Sequence, residues 1–241
     1  VGSVGHCHPH YVKRISEQLT RSTFGSFTTE ARARFLALVS DLLPQGITHV
    51  QLFSGGAEAV EAAFRLAKSA TKKFEFVGFW GGYHGKTAGV MGLLGGGYRN
   101  HQGPFPPGMH LSPYANCYRC PWKLEHPSCG LACADHLRNV LKNETQDEVA
   151  ALIMEPMQGT AGNVIPPDDF VHAVREIADE FGALLIADEI LTGFGRTGTL
   201  FACEQAGVAP DLLCLSKGIT GGTLPLSVVM ASDRVYEAFY D

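Results

Sequence analysis

Charge is sparse in this chain. Charged residues make up 18% of its 241 positions, and the net charge of −5 comes with no long run of lysine or arginine. A nucleic-acid surface needs a basic stripe facing the phosphates, so that class of partner is set aside. Lys68, Lys72 and Lys73 read instead as the solvated end of a helix. No stretch of about 18 apolar residues is present, so no membrane-spanning helix is expected. The first residues lack the basic and apolar regions of a secretory signal, and the cytoplasm is the expected compartment. Seven cysteines, an odd number without such a signal, suit reduced thiols better than a disulfide framework. Repeats and low-complexity tracts are missing too. What is left is an ordinary globular composition, 45% hydrophobic, in a chain long enough to bury a sizeable core.

Short β-rich apolar runs alternate with longer segments of helical period, which predicts an α/β fold with a largely parallel sheet. Strands are expected at 48–53, 74–80, 149–155, 183–188, 211–216 and 226–231. Helices are expected at 28–43 with Thr28 or Thr29 as cap, at 57–70, at 133–142, and at 168–181 opened by Pro167-Asp168. A short helix is expected from Arg234 to Phe239. The segment from Gly92 to Pro127 is rich in Gly, Pro and aromatics and reads as a long excursion from the sheet.

Polar residues close several of the apolar runs. Lys217 ends Asp211-Leu-Leu-Cys-Leu-Ser and is followed by Gly218-Ile-Thr-Gly-Gly222. Asp188 ends Gly182-Ala-Leu-Leu-Ile-Ala187, and Glu155 ends a third run. In open α/β sheets the carboxyl ends of strands are where ligands bind. An amine there suits a Schiff-base lysine, and a carboxylate suits the protonated pyridine nitrogen of pyridoxal 5'-phosphate. Phe53-Ser-Gly-Gly-Ala-Glu-Ala59 leads from a strand into a helix, where free amides approached through glycines can take a phosphate. Phe79-Trp-Gly-Gly-Tyr-His-Gly85 puts Tyr83 and His84 on a glycine-flanked turn, so Tyr83 can lie flat on a planar ring. Each feature alone has a plain explanation: a solvated charge, a tight connection, a core aromatic. Together they place several chemically useful groups at one edge of the sheet.

These residues resemble the class III, or ω-, aminotransferases among fold type I pyridoxal-phosphate enzymes. The resemblance covers essentially the whole chain. It runs through Gly5-His-Cys-His-Pro9, Ser54-Gly-Gly-Ala-Glu-Ala59, Tyr83-His-Gly85, Glu155-Pro-Met-Gln-Gly159, Asp188-Glu-Ile-Leu-Thr-Gly-Phe-Gly-Arg-Thr-Gly198 and Ser216-Lys-Gly-Ile-Thr-Gly-Gly222. It implies a three-layer α/β/α large domain with a mostly parallel sheet of about seven strands, spanning 1–241. It also implies that Lys217 carries the cofactor as a Schiff base and then serves as general base, that Asp188 pairs with the pyridinium, and that Ile190 packs under the ring with Tyr83 over it. Gly55, Gly56 and Ala57 would bind the phosphate, and His84 and Glu155 would complete the cofactor site. The implied activity is transfer of an amino group from an amine or ω-amino acid to a keto acid such as pyruvate, in a homodimer.

Two positions depart from the family pattern. Leu191 stands where many members have a glutamine that contacts the cofactor's phenolic oxygen, with Gln158 as a candidate substitute. Thr160 stands where the glutamate, ornithine and 4-aminobutyrate branches carry a second glutamate, and Gly221-Gly-Thr-Leu-Pro-Leu-Ser227 looks more like the amine, pyruvate and diaminopelargonate-type branches. The family's opening segment, its phosphate-contacting threonine from a neighbouring subunit, its carboxylate-binding arginine and its small C-terminal domain match nothing here. The 241 residues are therefore expected to be an incomplete core domain with little activity of their own. A decarboxylase or aminomutase on the same scaffold is the alternative chemistry. A non-catalytic, metal-stapled remnant would be expected to lose Lys217 or Asp188, and both are present.

Cys117, Cys120, Cys129 and Cys133 cluster in and just beyond the excursion. Such a set could fold around zinc or an iron–sulfur centre, but the second pair lacks the two-residue knuckle spacing. The sequence is therefore read as buried or loosely paired thiols with no metal ligands.

Overall fold

Seven strands and seven α-helices carry the alternating pattern in a computed structural model that describes residues 2–23, 25 and 28–239. The strands are β1 His49–Phe53, β2 Glu75–Phe79, β3 Met109–Ser112, β4 Val149–Met154, β5 Leu184–Asp188, β6 Leu212–Leu215 and β7 Ser227–Ala231. The helices are α1 Pro9–Arg21, α2 Glu30–Ser40, α3 Gly56–Thr71, α4 Ala88–Met91, α5 Ala132–Asn143, α6 Asp168–Glu180 and α7 Asp233–Glu237.

The strands form one sheet in the order β1-β7-β6-β5-β4-β2-β3. β2 through β6 run parallel, while β7 is antiparallel to both β1 and β6. β1 therefore points the same way as the parallel set, and six strands end at one edge.

Helices cover both faces, as the three-layer expectation requires. The two-residue period of a strand sends alternate side chains to opposite layers. On β5, Leu184 and Ile186 pack in the core with α3, whereas Leu185 packs in the core with α5 and α6. On β6, Leu212 and Cys214 join the α3 side, and Leu213 and Leu215 join a third cluster with Val39 of α2 and Phe201. Phe170 of α6 is fully buried and meets the rings of Phe79 and Tyr114 edge-on, at 5.8 and 5.5 Å between centroids.

Three elements go beyond the sequence reading: β3, α1 and the four-residue α4. β3 lies inside the excursion and pairs in parallel with β2, Phe76 facing Met109. Four residues are too few to display a strand period, and only the β2 edge makes Met-His-Leu-Ser a strand. α1 opens with Pro9 at a position where a helix needs no N–H. It buries no residue fully, and Tyr11, Ile15 and Gln18 form its partly covered face. Elsewhere bounds shift by a few residues. Of the two candidate caps, Thr29 is the one used, its Oγ1 accepting the Arg32 N–H at 3.2 Å.

Among the described residues no helix is long and apolar enough to cross a membrane. Phe170→Ala leaves a ring-sized void between two aromatic partners and is expected to cost about 3–5 kcal/mol. Urea unfolding monitored by circular dichroism measures this, and a loss below about 1 kcal/mol would contradict the assigned core.

Candidate active site

The shared strand edge gathers the polar residues that ended the apolar runs. A cleft of about 190 Å³ opens there, with Gly56 and Ala57 after β1, Tyr83 and His84 after β2, Glu155 after β4, Asp188 and Ile190 at β5, and Lys217 after β6. Eight of the nine residues singled out in the sequence line this cleft.

Gly55 does not. It is the N-cap of α3, its N–H donates to Glu58 Oε2 at 2.7 Å, and its carbonyl accepts from Ser227 Oγ at 2.7 Å. The next two amides, of Gly56 and Ala57, open the first turn of a 16-residue helix, where no intrahelical acceptor exists and the helix dipole favours an anion. Space here is kept by missing side chains. A Cβ on Gly56 would stand 3.0 Å from Ile190 Cδ1, and one on Gly85, whose φ is +120°, would overlap the Cβ of Ala57.

Asp188 is held on both oxygens. His84 Nδ1 lies 2.7 Å from Oδ2, and the N–H of Ile190 donates to Oδ1 at 3.1 Å. Both side chains of the His84–Asp188 pair are almost fully buried. Burial by itself would lower the His84 pKa. The hydrogen bond and charge of Asp188, with the charge of Glu155, outweigh it and hold the imidazole above its ordinary value. His84 Nε2 is buried with no hydrogen-bond partner among the described residues.

Glu155 joins two loops. Its Oε1 accepts the Tyr83 N–H at 2.8 Å and its Oε2 the Gly159 N–H at 3.4 Å. Burial, reinforced by the charge of Asp188, pushes its carboxyl up to about 7 against the opposing pull of His84 and the two amides. The ring of Tyr83 meets that of Tyr98 edge-on at 5.4 Å.

Lys217 sits on strained backbone, with φ +34° where a side chain is disfavoured. The turn is pinned on either side: Gly222 N–H donates to Lys217 O at 2.8 Å, and Ser216 Oγ donates to Leu226 O at 2.8 Å. From α1, Tyr11 OH reaches Thr220 O at 3.1 Å. The Lys217 amine lines the cleft with no hydrogen-bond or ion-pair partner among the described residues.

Glu189, next to Asp188, is wholly buried and turned the other way. It accepts from Ala202 N–H at 2.7 Å, Cys203 N–H at 2.8 Å and Thr192 Oγ1 at 2.9 Å, fixing the loop that carries Ile190 and Leu191. Burial pushes its carboxyl up, and the amides of Cys203 and Ala202 pull it back.

The sequence did not reveal the His84–Asp188 pair or the role of Glu189. An acidic residue directly after Asp188 was the available signal for Glu189, and no local pattern announces a contact across 104 positions. Leu191 and Thr160, noted as departures, both line the cleft, as do Gly85 and Ser216. Gln158 is corrected: its amide Nε2 donates to Trp80 O at 2.9 Å and the residue is absent from the cleft wall.

Residues 1–241 match the family model described as Aminotransferase class-III. An adenosylmethionine-8-amino-7-oxononanoate aminotransferase of Nitratidesulfovibrio vulgaris is 36% identical over 98% of this chain and 46% of its own length. An amine transaminase from an uncultivated Pseudomonas species, solved with PLP bound, superposes with a TM-score of 0.92 at 33% identity, over 98% of this chain and 56% of that one. A taurine:2-oxoglutarate aminotransferase from Bifidobacterium kashiwanohense, solved with PLP and glutamate, gives 0.90 at 30% identity, over 100% and 55%. The chain thus spans about half the length of the relatives it matches.

The Glu155 carboxyl carries a pH signature. Its folded-state pKa lies above the ordinary 4.5, so its contribution to stability is fully present below pH 4.5 and is lost as pH rises through about 7. Glu155→Gln is expected to remove that decline, worth up to about 3 kcal/mol. Urea unfolding at intervals from pH 4.5 to 8 checks this, and parallel pH dependences for the two proteins would refute it.

Proposed function

The chain belongs to the class III aminotransferases, and on that premise we propose that it forms the cofactor-binding large domain of a pyridoxal-phosphate-dependent transaminase. One observation carries the reading: an unpartnered lysine amine and a histidine-backed aspartate line one cleft that opens onto a helix N-terminus. That donor set fits the three chemically distinct parts of pyridoxal phosphate. The aldehyde needs an amine, the ring nitrogen needs an anion, and the phosphate needs free amides.

When bound, pyridoxal phosphate supplies an aldehyde carbon for amines and a ring that accepts the electron pair left as a substrate carbon loses its proton. The protein supplies charge and geometry. Asp188 would face the ring nitrogen, its Oδ2 held by the buried His84 and its Oδ1 by the Ile190 N–H. Gly56 and Ala57 would offer two N–H groups to the phosphate, and Ile190 and Tyr83, both on the cleft wall, would hold the ring. Lys217 Nζ would serve as the general base toward the substrate Cα proton, a role of the kind worth about 10²–10⁴ in rate.

The donor is an amine or ω-amino acid and the acceptor a keto acid such as pyruvate. The names of the relatives support this class, since they include an amine transaminase and a taurine transaminase. Leu191 and Thr160 put uncharged groups on the cleft wall, which suits a donor with no carboxylate beside its amine. A homodimer is the proposed assembly of the whole protein.

Borohydride reduction with added pyridoxal phosphate, followed by peptide mass mapping, tests the site. The cofactor mass should appear on the peptide containing Lys217 and vanish in Lys217→Ala. In a polypeptide that carries this domain and turns over an amine with pyruvate, the same change should lower the rate at least about a hundredfold. Equal labelling or equal turnover in Lys217→Ala would sink the assignment.

A further inference from the structure

Far from the cleft, the fold does something with the cysteines that their spacing does not show. Cys117 and Cys120 are joined by a 3₁₀ helix, Cys117–Arg119, with Cys120 as its C-cap. Three residues per turn place positions i and i+3 on the same side. Cys129 and Cys133 are four apart across the entry to α5, Cys133 being the second residue of that 12-residue helix. Between them Gly130 and the N-cap Leu131, at φ +59° and +58°, turn the chain, so both cysteines reach one cavity without the two-residue knuckle spacing. All four residues line one cavity of about 20 Å³, beside Trp122 and Leu131. That is room for a single small occupant.

We propose that Cys117, Cys120, Cys129 and Cys133 form a tetrathiolate site for one zinc-like divalent cation, which staples the segment between β3 and α5. All four thiols are free in the structure. Among the described residues no three potential ligands already meet at one point, so the cation must draw the sulfurs inward by side-chain rotation. Binding converts four thiols to thiolates, releases four protons to solvent, and leaves the filled site with a charge of −2; no electron is transferred. The dipole of α5 offsets part of that charge. A cavity this small favours one ion over a multi-atom iron–sulfur cluster, and four sulfur ligands suit tetrahedral zinc. The role is structural, since four thiolates leave zinc no open position for substrate.

The test needs neither cofactor nor turnover, so its outcome is independent of the transaminase reading. The full 241-residue chain, reduced and stripped with a chelator, is titrated with Co²⁺ and then with Zn²⁺. One Co²⁺ per chain should bind with thiolate-to-cobalt charge-transfer absorption, and Zn²⁺ should displace it. Thiol counting with a chromogenic disulfide should show four fewer reactive thiols with zinc than without. Cys129→Ser and Cys120→Ser should each weaken binding at least about tenfold, whereas Cys7→Ser should leave it unchanged. Where a serine variant fails to fold by circular dichroism, thiol protection in the parent chain decides. Substoichiometric uptake, no protection by zinc, equal weakening by Cys7→Ser, or iron with acid-labile sulfide in the isolated chain would overturn the proposal.

Discussion

Six of the seven strands point the same way, and the rest of the molecule depends on that shared direction. A parallel sheet covered on both faces has apolar strand interiors, so polar side chains can enter only at the ends. Because the strands finish at one edge, those ends lie beside one another. Val149–Met154 and Leu184–Asp188 are buried throughout, and the polar groups that close them, Glu155 and Asp188, open into the same cleft.

Buried and half-buried carboxylates then act as fasteners for the loops this arrangement creates. Glu75 is 1% exposed, yet it lies 3.0 Å from His110 Nε2 and accepts the N–H groups of Gln146 and Glu148, tying β2 to β3 and to the approach to β4. Asp211 accepts the Leu185 N–H at 2.9 Å and meets Arg175 at 2.8 Å, locking β5 and α6 to the start of β6. Glu155 and Glu189 do the same on either side of the cleft. Each such charge costs several kcal/mol to bury alone, and charge-assisted hydrogen bonds of roughly 1.5–3 kcal/mol each offset that cost. This leaves the cleft wall open to glycines and to an unpartnered lysine.

Much of this was legible residue by residue. Six strands and the main helices follow from hydrophobic periodicity, and Gly56, Ala57, Tyr83, His84, Glu155, Asp188, Ile190 and Lys217 all reach the cleft expected of them. Gly55 was misplaced because a glycine N-cap and a phosphate-facing glycine look alike in sequence; Glu58 three positions later was the sign that its N–H is already taken. β3 was hidden inside a segment whose composition speaks only of turns.

The amino-acid order by itself determined which residues end strands and which helices begin with free amides, because strand and helix periods are local properties of a few consecutive side chains. Tertiary structure alone decided which ends became neighbours. His84 meets Asp188, Tyr83 hangs from Glu155, and Tyr11 braces the Lys217 turn only because the chain ordered its strands as β1-β7-β6-β5-β4-β2-β3. That order comes from burying both sheet faces at once, a sum over contacts far apart in sequence that no single window of residues contains.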